Sequence, residues 1–181
     1  MNQKLDDDHK VWKYDLYRIE ANIDITLWEM QIIDSFETKL SNILKVVSDY
    51  TSNTSNISQE KRILISIMFS DDKKIKKLNN QFRKMNKPTN VLSFPPYGNT
   101  LINDDEIFLG DIIFSIETIK TEAKKNNKTV IDHLIHLFIH GFLHLLGYHH
   151  DKEEEAKIME NLEICMLKKL GIASPYEIIN D

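Results

Sequence analysis

The chain has 181 residues, enough to bury a full core without disulfide or metal staples. Hydrophobic residues make up 41% and charged residues 28%, the balance of a globular protein, and a formal net charge of -5 excludes a polyanion binder that works through bulk positive charge. The single cysteine, Cys165, excludes a disulfide framework and any cysteine-based zinc site.

No apolar stretch approaches the roughly 20 residues needed to cross a bilayer. The opening MNQKLDDDHK lacks the basic-then-apolar order of a secretory signal, so the expected location is the cytoplasm. Residues 1–16 are polar and charged and read as a partly disordered N-terminal extension; residues 17–181 read as one domain.

In Tyr17–Leu27, apolar and polar residues alternate, with Ile19, Ala21, Ile23, Ile25 and Leu27 on one face of a half-buried strand. Ile33–Tyr50 has helical spacing through Ile33, Phe36, Leu40, Ile43, Leu44 and Val47. The polar TSNTSNISQE that follows reads as a loop. Arg62–Phe69, RILISIMF, is a continuous apolar run suited to a central strand. Ser70, Asp71 and Asp72 suit a helix N-terminus, where acidic groups meet the positive end of the dipole. That helix is expected to reach about Lys84, with Ile75, Leu78 and Phe82 inward.

Pro88 marks a turn, Asn90–Phe94 a short strand, and Pro95 with Pro96 its end. Tyr97–Ile107 reads as a long polar loop, Leu109–Ile116 as a buried strand, and Glu117–Lys125 as a helix broken at Asn126–Lys128. Thr129 with Asp132 resembles a capping box opening a helix through Ile131, Leu134, Ile135, Phe138, Phe142, Leu145 and Leu146. A helix apolar on so much of its circumference is central and buried. Gly147 ends it, Asp151 with Glu154 predicts a second capping box, and a last helix over Lys152–Leu170 closes at Gly171. The expected fold is α+β: a single domain with a roughly four-stranded mixed sheet, packed with helices around a buried central helix that carries the metal ligands. The strand order is not legible.

Of seven histidines, all but His9 lie between His133 and His150. In HGFLHLLGYHH, His140 and His144 are four apart, so both imidazoles leave one helix face about one turn apart and can share an ion. Gly147 tolerates the left-handed conformation that reverses a chain, which can bring His150 back as a third ligand. A catalytic zinc keeps three protein ligands and leaves its fourth position to water. The order HxxxHxxGxxH has the spacing of the metzincin site. A lone histidine on an apolar helix is usually a satisfied core or surface group; three at this spacing, with a glycine between, are a ligand set. His136 lies about 12 Å along the helix from His144 and cannot share its ion, so His133 and His136 read as supporting or surface groups. His149 competes with His150, which spacing favours. Three histidines suit zinc, but also nickel, copper or iron.

Zinc proteases carry a glutamate directly after the first histidine as general base. Here that position is Gly141, which argues against peptide hydrolysis. A metal can still acidify water to a pKa of about 7, and with a positive group beside it would suit a phosphodiester. Lys73, Lys74, Lys76, Lys77, Arg83, Lys84 and Lys87 form a basic stretch without an acid. Its plain reading is a solvated helix face, but the Arg83 guanidinium can hold a phosphate in two-point contact. The acid of Asp151–Glu163 reads as lying on a helix turned to solvent.

Three segments, LNNQFRKMNKPTNVLSFP (Leu78–Pro95), LGDIIFS (Leu109–Ser115) and HGFLHLLGYHHD (His140–Asp151), resemble the signature blocks of the YbeY family in their order. That family comprises bacterial single-strand-specific endoribonucleases acting in ribosomal RNA maturation, including the 16S rRNA 3′ end, and in ribosome quality control. The resemblance implies one zinc ion at His140, His144 and His150, Arg83 as the arginine important for RNA cleavage, and single-stranded RNA, ribosomal RNA and the ribosome or its small subunit as partners. The chain departs from the family pattern at Asn90 and His149, where the family commonly has Asp. The expected function is therefore a zinc-dependent endoribonuclease with Arg83, His140, His144 and His150 as its catalytic set. No general base is identifiable: metal hydroxide and the RNA 2′-OH remain open as nucleophiles. Two other readings stand beside it: a ribosome assembly factor whose zinc is mainly structural, and a metal-dependent hydrolase of another substrate.

Overall fold

The computed structural model of the chain describes residues 7–51, 61–97 and 100–176. All of the TSNTSNISQE loop except Thr51 lies outside the described residues. Strand β1 (Asp7–Tyr14) turns through Asp15 and Leu16 into β2 (Tyr17–Asp24), its antiparallel partner. Helix α1 (Met30–Thr51) leads over to β3 (Arg62–Ser70), parallel to β2. Then come α2 (Asp72–Arg83), β4 (Val91–Phe94), β5 (Leu101–Asn103) and β6 (Glu106–Ser115). Strand β6 runs parallel to β3 and antiparallel to β4 and β5. The sheet order is β1-β2-β3-β6-β4, with β5 paired to β6 off that path. Helices α3 (Ile116–Lys125), α4 (Val130–Leu145) and α5 (Glu153–Lys169) complete the α+β fold.

The pattern of each strand follows from what covers it. In β2, Tyr17, Ile19, Ala21 and Ile23 are buried and the residues between them are not. In β3, Ile63, Ile65, Ile67 and Phe69 join the main core, which α1 and α4 fill with Ile33, Phe36, Leu40, Phe138 and Phe142. On the opposite face Ile75 of α2 seals a smaller cluster with Leu92 and Ile113. Covering both faces of β3 and β6 removes the polar alternation from their sequence.

Several sequence expectations are corrected. Residues 7–14 are not an extension: Trp12 of β1 is buried against Phe36 and Phe69. Among the described residues the sheet has six strands rather than about four. Strand β2 stops at Asp24, whose side chain accepts from the Thr26 backbone N–H and hydroxyl, so Ile25 turns outward. The polar stretch after β4 contains β5. Phe82 of α2 is exposed, and Asn79 takes the inward place, donating to the Lys87 carbonyl across the following turn. Thr129 caps α4 by accepting from the Asp132 N–H, as the capping-box pattern predicts. The Asp151–Glu154 box does not form: α5 starts at Glu153 with Lys152 as its N-cap and no side-chain bond. Among the described residues, no helix is long and apolar enough to cross a membrane.

Candidate metal centre

Helix α4 lies between the sheet and α5, and its register sets the site. Leu134, Ile135, Phe138, Phe142 and Leu145 are buried, while His136, His140 and His144 are only partly so. The helix ends in a reversal: Tyr148 N–H reaches back to the Leu143 carbonyl, and Gly147 takes φ 89°. A side chain at Gly147 would meet nothing, so it is the positive φ that calls for glycine there.

The reversal returns His150 to the helix. Its ring centroid lies 5.4 Å from that of His140 and 5.0 Å from that of His144, which are 4.6 Å from each other. One ring nitrogen from each of the three lies within 4.8 Å of the others, a cluster able to hold a metal ion. His149 is exposed, stands 6.0 Å from His144 ring to ring, and is outside the cluster.

The tautomers can be worked out from the partners. His140 Nδ1 lies 2.9 Å from Glu163 Oε1, and an ionised carboxylate only accepts. His144 Nδ1 lies 2.9 Å from the Tyr148 carbonyl, which also only accepts. Both rings therefore carry their proton on Nδ1, and both Nε2 atoms present lone pairs. In the neutral rings those two Nε2 lone pairs face each other at 3.1 Å. Two facing lone pairs at that distance call for a cation, and neutral imidazole nitrogens fit a divalent ion. Burial, and then the neighbouring His140, push the His144 pKa down to about 4, so it is neutral and ready to bind metal near pH 7.

Behind His140 stands Glu163 of α5, fully buried. It also accepts from His136 Nε2 at 2.7 Å and from the Tyr176 hydroxyl at 2.9 Å. Burial alone would raise its pKa, but the bonds from His136 and His140 outweigh burial and hold it at about 2. Burial and the Glu163 charge raise the Tyr176 pKa, keeping its hydroxyl a donor. His133 is buried and pairs with Glu122 at 2.8 Å. Sequence reading missed Glu163 and Tyr176. The available signal was periodicity: Met159, Glu163, Met166 and Leu167 form the buried stripe of α5.

Gly141 faces the sheet. A Cβ there would lie 2.8 Å from Ser93 Oγ and 3.3 Å from Ile112 Cγ2. A side chain there would force Ser93 or Ile112 to shift, so a glycine in the place of a protease base matches how closely α4 packs on β4 and β6. Arg83 ends α2 exposed, and its positive charge adds to those lowering the His144 pKa, which places it within electrostatic reach of the site. Lys73, Lys74, Lys76, Lys77, Lys84 and Lys87 are exposed.

The sequence profile of the family described as "Endoribonuclease YbeY" matches residues 23–171. The chain belongs to the YbeY family. An Endoribonuclease YbeY of Sinorhizobium fredii is 46% identical over 112 residues, covering 62% of this chain and 65% of that protein, just under two thirds of its length. One of Francisella tularensis subsp. tularensis is 48% identical over 117 residues, covering 62% of this chain and 69% of the relative. A solution structure from Thermotoga maritima matches 90% of this chain and 99% of its own, at 20% identity and a TM-score of 0.46. At Asn90, where the YbeY family commonly has Asp, the side-chain amide donates to Glu122 at 2.8 Å, a bond an ionised aspartate could not make.

Proposed function

We propose that this chain is a zinc-dependent endoribonuclease that cuts single-stranded RNA, with His140, His144 and His150 holding one ion and Arg83 holding phosphate. The observation that carries this reading is the cluster of His140, His144 and His150: one nitrogen from each ring lies within 4.8 Å of the others, with the Nε2 atoms of His140 and His144 3.1 Å apart. Family membership supplies the substrate class, since the relatives are named endoribonucleases. Bound zinc supplies a Lewis acid and makes water acidic enough to ionise near neutral pH. The chain's own residues do the rest. Glu163 and the Tyr148 carbonyl orient two ligand rings, and Arg83 offers a planar fork to a phosphate whose negative charge grows toward the transition state. Gly141 leaves no carboxylate in the place of a protease base, so phosphodiester cleavage suits this site better than peptide hydrolysis.

By the same family reading, the substrate is ribosomal RNA, including the 16S rRNA 3′ end, the partner is the small ribosomal subunit and the location is the cytoplasm. The test is elemental analysis of the purified protein combined with cleavage of labelled single- and double-stranded RNA. About one zinc per chain and cutting confined to single strands are expected. A zinc-loaded protein that leaves single-stranded RNA intact, or a folded His144→Ala variant that cuts as fast as the parent, would sink the proposal.

A further inference from the structure

Glu163 has no exposed surface. A carboxylate in that position is tolerated only when donors satisfy it. Three do so, from three places in the chain: His140 and His136 on successive turns of α4, and Tyr176 in the segment after α5. Its Oε2 takes His136 and Tyr176, while Oε1 is left for His140.

We propose that Glu163 is a positioning residue of the metal centre: it locks His140 in the Nδ1–H tautomer, aims Nε2 at the ion, and is itself held in place by His136 and Tyr176. This rests on the reading of His140, His144 and His150 as metal ligands. The opposite tautomer of His140 would set a lone pair against Glu163 Oε1 at 2.9 Å and turn a proton into the space the ion needs. His144 obtains the same tautomer from a neutral backbone carbonyl. His140 differs in having a full negative charge behind it, which makes its Nε2 a stronger donor to a cation and offsets part of the ion's charge. His136 and Tyr176 both take Oε2, and the remaining oxygen, Oε1, faces a ring whose tautomer the site requires. The segment that carries Tyr176 is thereby tied to the metal through a single side chain.

The test uses the full chain and measures zinc affinity by competition with a chromophoric chelator at fixed pH. The parent, Glu163→Gln and Tyr176→Phe are compared, with thermal unfolding of each metal-free protein as the fold check. Glutamine keeps the shape and one acceptor but loses the charge. Zinc binding by Glu163→Gln is expected to weaken by on the order of 10- to 100-fold, with a smaller loss in the same direction for Tyr176→Phe. A folded Glu163→Gln that binds zinc as tightly as the parent overturns the proposal. If that variant does not fold, long-range proton–nitrogen correlations of the metal-free parent decide: Nδ1–H on His140 supports the proposal and Nε2–H overturns it. A parent that binds neither zinc nor cobalt overturns the metal-centre reading itself. A parent that binds zinc beside an unaffected, folded Glu163→Gln overturns this proposal alone.

Discussion

Replacing Gly141 by alanine sets two magnitudes against each other. Inside a helix, alanine is favoured over glycine by roughly 0.5–1 kcal/mol because it loses less backbone freedom on folding. Against that stands space: the new Cβ would sit 2.8 Å from Ser93 Oγ and 3.3 and 3.5 Å from two Ile112 carbons. Overfilling a packed site typically costs about 1–3 kcal/mol. Packing should win, because Ser93 lies on β4, held in the sheet by β6, and Ile112 lies on β6 itself. The expected net loss for Gly141→Ala is about 1–2 kcal/mol, or roughly 2–8 °C in Tm for a chain of this size. The contact names its own control. Ser93 Oγ is buried without a hydrogen-bond partner, so Ser93→Ala alone should cost little. Combined with Gly141→Ala it removes the nearest clash. Thermal or urea unfolding of the four proteins forms a double-mutant cycle, in which the pair should be more stable than the sum of the single changes by about 0.5–2 kcal/mol. A Gly141→Ala protein that melts at or above the parent, or a cycle without coupling, refutes the reasoning that close packing excludes a side chain here.

Other consequences are open to simpler measurements. In the metal-free chain, His144 is held at about 4 against its ordinary 6.5, so the unfolded state binds more protons between those values and stability should fall as pH drops from 6.5 toward 4. Glu163, held at about 2 against 4.5, should add a further loss from 4.5 down to 2. Melting temperatures that stay flat from pH 7 to 4 would contradict the His144 assignment. Arg83→Lys keeps the charge but loses the two-point grip, so RNA cleavage should fall on the order of 10- to 100-fold in kcat/KM at unchanged zinc content; equal cleavage removes Arg83 from the site. Trp12→Ala should cost about 3–5 kcal/mol in denaturant unfolding, because the ring is buried against Phe36 and Phe69; a loss below about 1 kcal/mol would mean that β1 is dispensable to the core.

What the sequence discloses depends on how many neighbours a residue answers to. Ile19, Ala21 and Ile23 answer to one covered sheet face, so their period of two is visible; β3, covered on both faces, shows as an unbroken apolar run. Strand β1 is an edge with one covered face, where a buried Trp12 and a partly buried Tyr14 stand among charged residues, which leaves little pattern to read. Strand β5 is exposed throughout and leaves none. His140 and His144 are legible because helical spacing alone puts them together, and Gly147 because a left-handed residue must follow. Glu163 is not, since its partners lie 23 and 27 positions upstream and 13 downstream. Counted as charge, it joins the acids of α5 and points outward. Counted by period, it stands in the stripe of Met159, Met166 and Leu167 and points inward. For a charged residue flanked by apolar ones at helical spacing, period is the better guide.

The two features that sequence charge and motif reading treated as absences, a glycine where proteases have glutamate and an acid set aside as solvated, meet on one turn of α4. Gly141 lets the helix approach β4 so closely that a Cβ there would lie 2.8 Å from Ser93 Oγ. The adjacent His140 is held from α5 by Glu163. The turn that carries His140 is thus fixed against the sheet on one side and by the buried Glu163 on the other, while His150 sits on an exposed turn after the helix. Of the three rings able to hold an ion, His150 is the most accessible to solvent. On α2, Arg83 and the exposed lysines present a locally positive face that the net charge of -5 conceals.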